Sequence, residues 1–232
     1  MIQLVEWDTE NFGFKVGSIF INDLNNFNLA NIKKEAKDKE YSLVYLKFNE
    51  KVNENLFRKE RVFYEKRIFY GKIHDTPIYF TNDYHIKSYK QLSLTKDIYD
   101  LSFISGSFSR YKLDPMFPKH SFTTLYQKWI EQSVYTNFAK DVLVYEIDRK
   151  PIGLLTYTIE GSKSCIGLFA VNKNYRSQGI ATKLLQYYNQ ILPSDVKMMK
   201  VTTQGINKPA MSCYEKNGYN IINEQYIIHY WL

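Results

Sequence analysis

The chain has 232 residues and an apolar content of 44%. This is enough for a core in one large domain or two small ones, and it excludes a disordered protein. The formal net charge of +7 suits an anionic partner, although a solvated surface of mixed charge explains it equally well.

Residues 1–75 are predicted to form a small N-terminal α/β half-domain of alternating elements. Apolar and alternating runs predict strands in "IQLVEW", "KVGSIFIN", "YSLVYLKF" and "VFYEKRIFYGKI". The polar helix formers of "NLANIKKEAKDK" predict a helix. The segment "HDTPIYFTNDYH" (74–85) has turn chemistry, so we place a connection at 76–92.

From Ser93 onward the predicted element order is β-α-α-β-β-β-α-β-α-β-β. Helices are predicted in "TKDIYDLSFISGS", with Thr95 as N-cap, and in "FTTLYQKWIEQSVYTNF", "ATKLLQYYNQIL" and "KPAMSCYEKNG", the last ended by Gly218. The segment "SRYKLDPMFP" has two prolines and no period, so we expect a loop, and "YNIINEQYIIHYWL" supplies the last strands. The pattern predicts an α+β domain over 93–232, with a mixed, mostly antiparallel sheet flanked by helices.

The N-terminus, the apolar runs and the cysteines bear on localisation and metal binding. The first residues, "MIQLVEWDTENF", lack the pattern of a signal peptide, and no apolar run approaches the roughly 20 residues that span a bilayer. We therefore expect a soluble, cytoplasmic protein without membrane insertion. The two cysteines, Cys165 and Cys213, have no metal-ligand spacing, so we expect free thiols and no metal.

The stretch "IGLFAVNKNYRSQGIATKLLQYYNQ" joins an apolar strand to an amphipathic helix through a short glycine turn. Gly179 allows the backbone to turn tightly, and Arg176 and Lys183 flank a helix start that has no acid in its first turn. Free N–H groups beside cations bind anions such as a pyrophosphate. The alternative is an ordinary strand–turn–helix. The apolar positions of the helix recur at helical spacing and predict one buried face: Ala181, Leu184, Leu185, Tyr188 and Leu192.

This stretch resembles motif A of the GNAT family of N-acetyltransferases, whose signature is Gln/Arg-x-x-Gly-x-Gly/Ala and reads "RSQGIA" here. The later stretch "VTTQGINKPAMSCYEKNGY" is similar to the second half of the family pattern. In that pattern a strand is followed by Asn, then by a helix with Tyr seven residues later, then by a Gly-aromatic pair. The matching positions are Asn207, Tyr214 and Gly218-Tyr219.

The resemblance implies the GNAT fold and acetyl-CoA as cosubstrate. The coenzyme pyrophosphate would bind the backbone N–H groups of the turn, and the end of the preceding strand would pair with the pantetheine arm. Asn207 would hydrogen-bond the pantetheine, and Tyr214, on the same helix face, would lie near the thioester sulfur as the catalytic residue. The residues implied in coenzyme binding are Phe169, Ala170, Val171, Arg176, Gln178, Gly179, Ile180, Ala181, Thr182 and Asn207.

A looser resemblance covers the rest of the chain. The segments "LVEWDTENFGFKVGSI" and "SFSRYKLDPMFPKHSFTTLYQKWIEQSV" look like the TDP-fucosamine acetyltransferases of the same family. That likeness implies a small-molecule acceptor, the amine of a dTDP-linked amino-deoxysugar used for cell-surface polysaccharide.

Within that interpretation the loop after Ser107 would hold the acceptor. Arg110 could clamp a diphosphate, Tyr111 or Phe117 could stack on a ring, and Asp114 could accept a hydrogen bond. The alternatives are that Asp114 only shapes the turn before Pro115 and that Arg110 is a surface cation.

The expected chemistry is direct attack of a neutral amine on the thioester, with proximity as the main contribution and a strand N–H stabilising the oxyanion. Tyr214 is the candidate acid for the departing thiolate, because transfer from a phenol of pKa ~10 to a thiolate near ~8.5 is uphill by only about 2 kcal/mol. The alternative is that Tyr214 only packs. His85 and His120 are possible bases, but nothing places them at the amine, so no base is assigned.

Two other functions remain open. The first is a GNAT enzyme that acetylates another primary amine, such as a protein N-terminus, a polyamine or an antibiotic. The second is a non-catalytic module that binds coenzyme A or nucleic acid. The Asn207 and Tyr214 pair argues against a coenzyme sensor, and the absence of a basic stripe with interleaved aromatics argues against nucleic acid. A homodimer is possible.

Overall fold

A single ten-stranded sheet runs through the part of the chain that the computed structural model describes, residues 1–24, 27–74 and 83–232. Its strands are β1 (Gln3–Leu4), β2 (Val16–Ile21), β3 (Leu43–Phe48), β4 (Arg61–Ile73), β5 (Ile86–Ser88), β6 (Asp141–Ile147), β7 (Lys150–Glu160), β8 (Lys163–Val171), β9 (Met198–Gln204) and β10 (Asn220–Trp231). The α-helices of these ranges are α1 (Glu6–Phe12), α2 (Leu29–Asp38), α3 (Lys96–Ser105), α4 (Arg110–Leu113), α5 (Ser121–Tyr135), α6 (Ile180–Ile191) and α7 (Lys208–Lys216).

The strands lie in the order β1-β2-β3-β10-β4-β9-β8-β7-β6-β5. The β2–β3 and β8–β9 pairs are parallel, and the other neighbours are antiparallel. The predicted α+β class, with a mixed and mostly antiparallel sheet flanked by helices, is confirmed.

Strand β4 crosses the predicted boundary between the two parts of the chain. It belongs to the predicted half-domain 1–75, yet it lies between β9 and β10 of the segment 93–232. The sheet is thus continuous across the proposed division, which stays a prediction. Of the predicted connection at 76–92, residues 76–82 lie outside the described residues, and the rest contains strand β5.

Helices cover both faces of the sheet, and alternation along each strand decides which side chains they bury. On one face, here called the α6 face, α6 and α7 pack on residues such as Ile68 and Tyr70, and α2 packs on Val44. On the opposite face, called the α5 face, α3 and α5 pack on strands β6–β8 through residues such as Val142 and Leu168. Helices α1 and α4 lie on the same face over β2 and β3.

Four sequence predictions were wrong in detail. The segment "IQLVEW" forms only a short strand before α1, which Glu6 and Asp8 favour by placing acids in its first turn. The predicted loop "SRYKLDPMFP" contains the single-turn helix α4. The last residues form one strand, β10, with a bulge between Ile221 and Asn223, rather than several strands. Likewise, α3 is the first element after Ser93, so no strand begins that segment.

Candidate active site

Strands β8 and β9 separate at the centre of the sheet. Their parallel pairing ends at Ile166 and Val201, although both strands continue. On its other edge β8 carries a bulge opposite Thr156, whose buried Oγ1 accepts a hydrogen bond from the N–H of Leu168 at 2.8 Å. The divergence leaves the β9-facing backbone edge of Phe169–Val171 unpaired with β9, and an extended ligand can pair with such an edge.

A cleft of about 430 Å³ lies where the two strands diverge, a volume typical of small-molecule sites. Every predicted coenzyme-binding residue except Gln178 lines it. Among the lining residues that the sequence analysis did not single out, four come from the end of α3 and the segment before α4: Ile104, Ser105, Ser107 and Phe108. Only the small-residue run "SGS" before Phe108 could have indicated such a close approach.

The turn before α6 has the backbone conformation that its glycine suggested. Gly179 has φ 79° and ψ −1°, and Ser177 has φ 62°. A Cβ at Gly179 would meet no atom within 4 Å, so glycine is required there by its left-handed conformation and not by crowding. The first N–H groups of α6 have no intrahelical partner, and they border the cleft at Ile180–Thr182. This end of the helix is suited to a phosphate.

The two cations beside the turn differ in position. Arg176 is exposed at the rim of the cleft, where its Nε donates to the carbonyl of Val171 at 3.2 Å. Lys183 instead donates to the hydroxyl of Tyr145 at 3.1 Å and pairs with Asp83 at 3.4 Å. Of these two cations, therefore, only Arg176 lines the cleft, and Lys183 is held against β6.

Asn207 caps α7 at the cleft. Its Oδ1 accepts from the N–H of Ala210 at 3.3 Å, and its Nδ2 donates to Thr203 Oγ1 at 3.2 Å. The side chain is thus fixed by two internal hydrogen bonds while it lines the cleft. Its predicted contact with the pantetheine stays a prediction.

Tyr214 lies on the α6 face, seven residues after Asn207. Its ring contacts Tyr70, Phe169 and Tyr219 at centroid distances of 5.6, 6.0 and 5.9 Å. Burial raises the pKa of the Tyr214 phenol well above its usual range, so the group is neutral in the free protein. No other described residue hydrogen-bonds its hydroxyl. Its role as the acid stays a prediction, and its contact with Phe169 puts it beside the cleft.

Arg110 lies in a buried ionic cluster on the α5 face and is not a surface cation. Its guanidinium lies 3.5 Å from the carboxylate of Asp8 and 3.4 Å from that of Glu65, and it stacks on Tyr45 and Tyr111. Burial alone would lower the pKa of Arg110, but Tyr111, Tyr45 and the two carboxylates raise it, so the group stays charged. These partners occupy the terminal guanidinium nitrogens of Arg110, which were expected to bind the diphosphate.

The other residues predicted to bind the acceptor substrate are also buried or partly buried. Oδ2 of Asp114 accepts hydrogen bonds from His229 Nδ1 at 2.7 Å and from Trp231 Nε1 at 3.0 Å. Tyr111 donates to Asp8, and Phe117 packs among aromatic rings in the core. The candidate bases lie elsewhere. His120 is exposed at the start of α5, and His85 stacks on Tyr145 beside Asp83.

A polar row that the sequence analysis missed crosses three strands on the α5 face. The register pairs Arg67 of β4 with Gln204 on one side and with Gln225 on the other, so the three side chains share this face. All three are partly exposed, and in the next row the exposed Thr202 and Asn223 flank the partly exposed Phe69. Arg67 Nε donates to Glu65 at 3.2 Å. We call this surface the polar groove. The only sequence signal of this surface was the pair of charged residues Glu65 and Arg67 inside the alternation "VFYEKRIFY".

Within residues 1–24, 27–74 and 83–232, no group of three or more His, Cys, Asp or Glu side chains could hold a metal ion. None of the helices in those ranges is long and apolar enough to cross a bilayer.

Comparison with known proteins identifies the family. The model of the acetyltransferase (GNAT) family matches residues 104–219, half of the chain. No curated protein sequence matches. Three solved structures share the fold at low identity. A conserved protein of unknown function from Staphylococcus epidermidis has 16% identity and a TM-score of 0.66, with 97% of this chain and 88% of that one covered.

The other two structures are named GCN5-related N-acetyltransferases. The protein from Sphaerobacter thermophilus has 12% identity and a TM-score of 0.53, with 99% of this chain and 75% of that one covered. The protein from Kribbella flavida has 10% identity and a TM-score of 0.51, with 94% and 81% covered. With a family match over the residues that build the cleft, the chain belongs to the GNAT family of N-acetyltransferases, enzymes that use acetyl-CoA as cosubstrate.

Proposed function

We propose that this acetyltransferase acts on the amine of a dTDP-linked amino-deoxysugar destined for cell-surface polysaccharide. The observation that carries acetyl transfer is the cleft between β8 and β9, which ends at the left-handed Gly179 turn and the start of α6. The sugar-nucleotide acceptor is supported by the resemblance of the N-terminal and middle segments and by the cationic polar groove. The competing acceptor is another primary amine.

We place the coenzyme in the cleft in the following orientation. Its pyrophosphate would accept hydrogen bonds from the N–H groups of Ile180–Thr182, with Arg176 at the rim, and its pantetheine would pair with the free edge of Phe169–Val171. The thioester would then lie near the point where β8 and β9 diverge. The α6 face at this point is covered by α7 through Tyr214, so the amine approaches from the α5 face.

Attack of the neutral amine forms the N–C bond and breaks the C–S bond of the thioester. Binding both reactants at one point replaces a bimolecular encounter, which contributes most of the acceleration. A backbone N–H of the β8 edge would stabilise the oxyanion. Burial raises the pKa of the Tyr214 phenol, so the phenol still carries its proton when the thiolate forms, although its transfer costs more than transfer from an unshifted phenol. We assign Tyr214 the hydrogen bond that supports the departing thiolate; its proton passes to the thiolate as CoA leaves, and solvent returns a proton to the phenol.

The acceptor's anionic portion belongs in the polar groove. Arg110 is neutralised by internal carboxylates, whereas Arg67 is partly exposed and engages only its Nε with Glu65 among the described residues. The terminal nitrogens of Arg67 form the planar fork that binds a phosphate. Gln204 and Gln225 flank it with amide groups that suit hydroxyl and phosphate oxygens.

The test is acetyl transfer to a panel of amines, measured by thiol release and by the mass of the product. The panel contains dTDP-amino sugars that differ at C3 and C4, the free amino sugars, a polyamine and a peptide N-terminus. We expect the dTDP-sugars to have the highest kcat/KM. A higher kcat/KM for the polyamine or the peptide would refute the assigned acceptor.

A matched pair of variants separates recognition of the diphosphate from general charge. Arg67→Gln should raise the KM for the dTDP-sugar about 10-fold or more and leave that for acetyl-CoA unchanged, since a charge-assisted hydrogen bond contributes roughly 1.5–3 kcal/mol. Arg61→Gln is the control, because Arg61 is an exposed arginine on the same strand, about 20 Å away. Equal KM values for the two variants would exclude the assignment to Arg67.

A further inference from the structure

A second cavity, of about 320 Å³, lies on the α6 face outside the cleft assigned to the coenzyme. It is bounded by α6, by the end of β4 and by the residues that follow α7. Its floor is apolar and buried, and it is formed by Leu185, Met199 and Tyr219. The volume is within the range of small-molecule sites. None of the residues assigned to the coenzyme or to the acceptor lines this cavity, so it offers a separate site.

The walls of the cavity are polar and carry a positive charge. Four carboxamide side chains line them, three from one face of α6 and one from the C-cap of α7: Gln186, Asn189, Gln190 and Asn217. The other polar wall residue is Lys72 of β4, and no carboxylate is among the described residues that line the cavity. A cavity with a cation and without a lining carboxylate attracts an anion.

The cation of this cavity is held in place by one hydrogen bond. Lys72 is half-buried, and its Nζ donates to the carbonyl of Asn217 at 3.1 Å and lies 5.9 Å from the centroid of the Tyr219 ring. An ammonium group has three N–H donors, and this carbonyl is its one hydrogen-bond acceptor among the described residues. Two donors are therefore left for the oxygens of a phosphate, which lysine binds as a point charge.

The carboxamides suit a heterocyclic base beside that phosphate. A carboxamide presents a donor and an acceptor side by side, and this pair matches the N6 and N7 edge of adenine. Gln186 and Gln190 are four residues apart, so they are neighbours on the same face of α6. The apolar floor at Leu185 and Met199 gives the flat ring a surface to cover. Together these features suit a purine that carries one phosphate.

Asn217 connects this cavity to the cleft, because it lines both. Its Nδ2 donates to Thr182 Oγ1 at 3.3 Å and to the carbonyl of Cys213 at 2.8 Å. Thr182 belongs to the first turn of α6, where we place the coenzyme pyrophosphate. A ligand that fixes Lys72 also fixes the carbonyl of Asn217, and it thereby orders the side chain that supports this turn.

We propose that this cavity is a regulatory site for a purine nucleoside monophosphate. Lys72 binds the phosphate, the carboxamides of α6 bind the base over the apolar floor, and Asn217 transmits binding to the coenzyme through Thr182. The bound nucleotide strengthens coenzyme binding, and the coenzyme strengthens nucleotide binding by the same factor. This inference goes beyond the proposed function and concerns binding alone, so it is tested without an acceptor.

The test is calorimetric titration of the full chain with AMP, alone and in the presence of saturating CoA. We expect one AMP to bind per chain in both titrations, with a Kd about 5-fold or more lower when CoA is bound. Adenosine, which lacks the phosphate, and orthophosphate, which lacks the base, should each bind more weakly than AMP. If saturating CoA abolishes AMP binding, the coenzyme itself occupies the nucleotide site, and a separate regulatory site is excluded.

Three variants locate the site and the coupling. Lys72→Gln should weaken AMP binding about 10-fold or more, because charge-assisted hydrogen bonds to the phosphate are lost, and should leave adenosine binding unchanged. Lys197→Gln is the control, since Lys197 also donates to a backbone carbonyl, at 2.7 Å, but does not line the cavity. Thr182→Val removes the hydroxyl that accepts from Asn217, so AMP should bind as in the wild type while CoA no longer changes its Kd. Equal AMP affinities for Lys72→Gln and Lys197→Gln would overturn the proposal.

A measurement on the wild type keeps the inference testable if Lys72→Gln does not fold. In protein with ¹³C-methyl-labelled methionine, the NMR signal of Met199, on the cavity floor, should shift when AMP is added to the CoA-bound chain. The signal of Met116, in the segment after α4, should not shift. A Met199 signal that does not respond to AMP would overturn the proposal. A chain that acetylates no amine would refute the proposed function and leave these binding tests unaffected.

Discussion

Replacement of Gly179 by alanine tests the coenzyme site most directly. At φ 79° a residue with a Cβ is strained, which costs about 1–2 kcal/mol. For a chain of this size that strain lowers Tm by about 2–4 °C for each kcal/mol. The added methyl group meets no protein atom within 4 Å and borders the cleft, so it projects toward the space assigned to the pyrophosphate.

The effect on binding follows from the hydrogen bonds that this methyl group would disturb. Loss of one N–H bond to a charged phosphate removes roughly 1.5–3 kcal/mol, which weakens affinity about 10- to 150-fold. Isothermal titration of the variant with CoA measures this directly. Acetyl-pantetheine, which lacks the pyrophosphate, should bind the variant and the wild type equally.

Gly161 provides a matched control in the same chain. It has φ 56°, its Cβ would also meet nothing within 4 Å, and it lies in the turn between β7 and β8 rather than at the cleft. Gly161→Ala should therefore lose a similar amount of stability and keep its CoA affinity. If the two variants bind CoA equally, the phosphate site is not at the start of α6 and the placement of the coenzyme is wrong.

Three other outcomes are expected. Tyr214→Phe should lower kcat about 10²-fold while the acetyl-CoA Kd is kept. Tyr219→Phe, at a neighbouring buried phenol, should keep the wild-type kcat. Equal kcat values for the two variants would exclude Tyr214 as the acid. Thr156→Val should lower the free energy of unfolding by about 1–3 kcal/mol in urea titrations, because the buried N–H of Leu168 loses this acceptor. An unchanged midpoint would show that the bulge does not need this bond. Burial raises the pKa of Tyr157, Tyr214 and Tyr219. The unfolded chain therefore loses these protons first, near about pH 10, so the free energy of unfolding should fall above that pH. Tyr157→Phe should make that fall shallower, and a flat profile would contradict the burial of these phenols.

The cleft that we assign to the coenzyme was predictable because its determinants are local. The turn at Gly179, the amphipathic helix after it and the Asn207 cap each depend on residues within a few positions of one another. Backbone conformation and helix ends respond to such short patterns, which is why the residues around this cleft could be assigned from the sequence.

The residues proposed for the acceptor substrate could not be placed in the same way, because their contacts are distant in the chain. Arg110 is 102 residues from Asp8 and 45 from Glu65, and Asp114 is 115 from His229. No local pattern reports that a loop arginine is neutralised inside the protein. Sequence reasoning therefore placed Arg110 at the substrate, whereas Arg67 is the partly exposed guanidinium on that face.

The central position of β10 bears on how the chain acquires its structure. Strands β3 and β4 are close in sequence, yet they are joined side by side only through β10, which pairs Leu46 and Tyr64 with Ile228. During synthesis both strands have an unsatisfied edge until that distant segment leaves the ribosome. Such long-range pairing slows folding and exposes edges that favour aggregation. Nascent chains arrested before Asn220 should accordingly depend on chaperones to remain in solution.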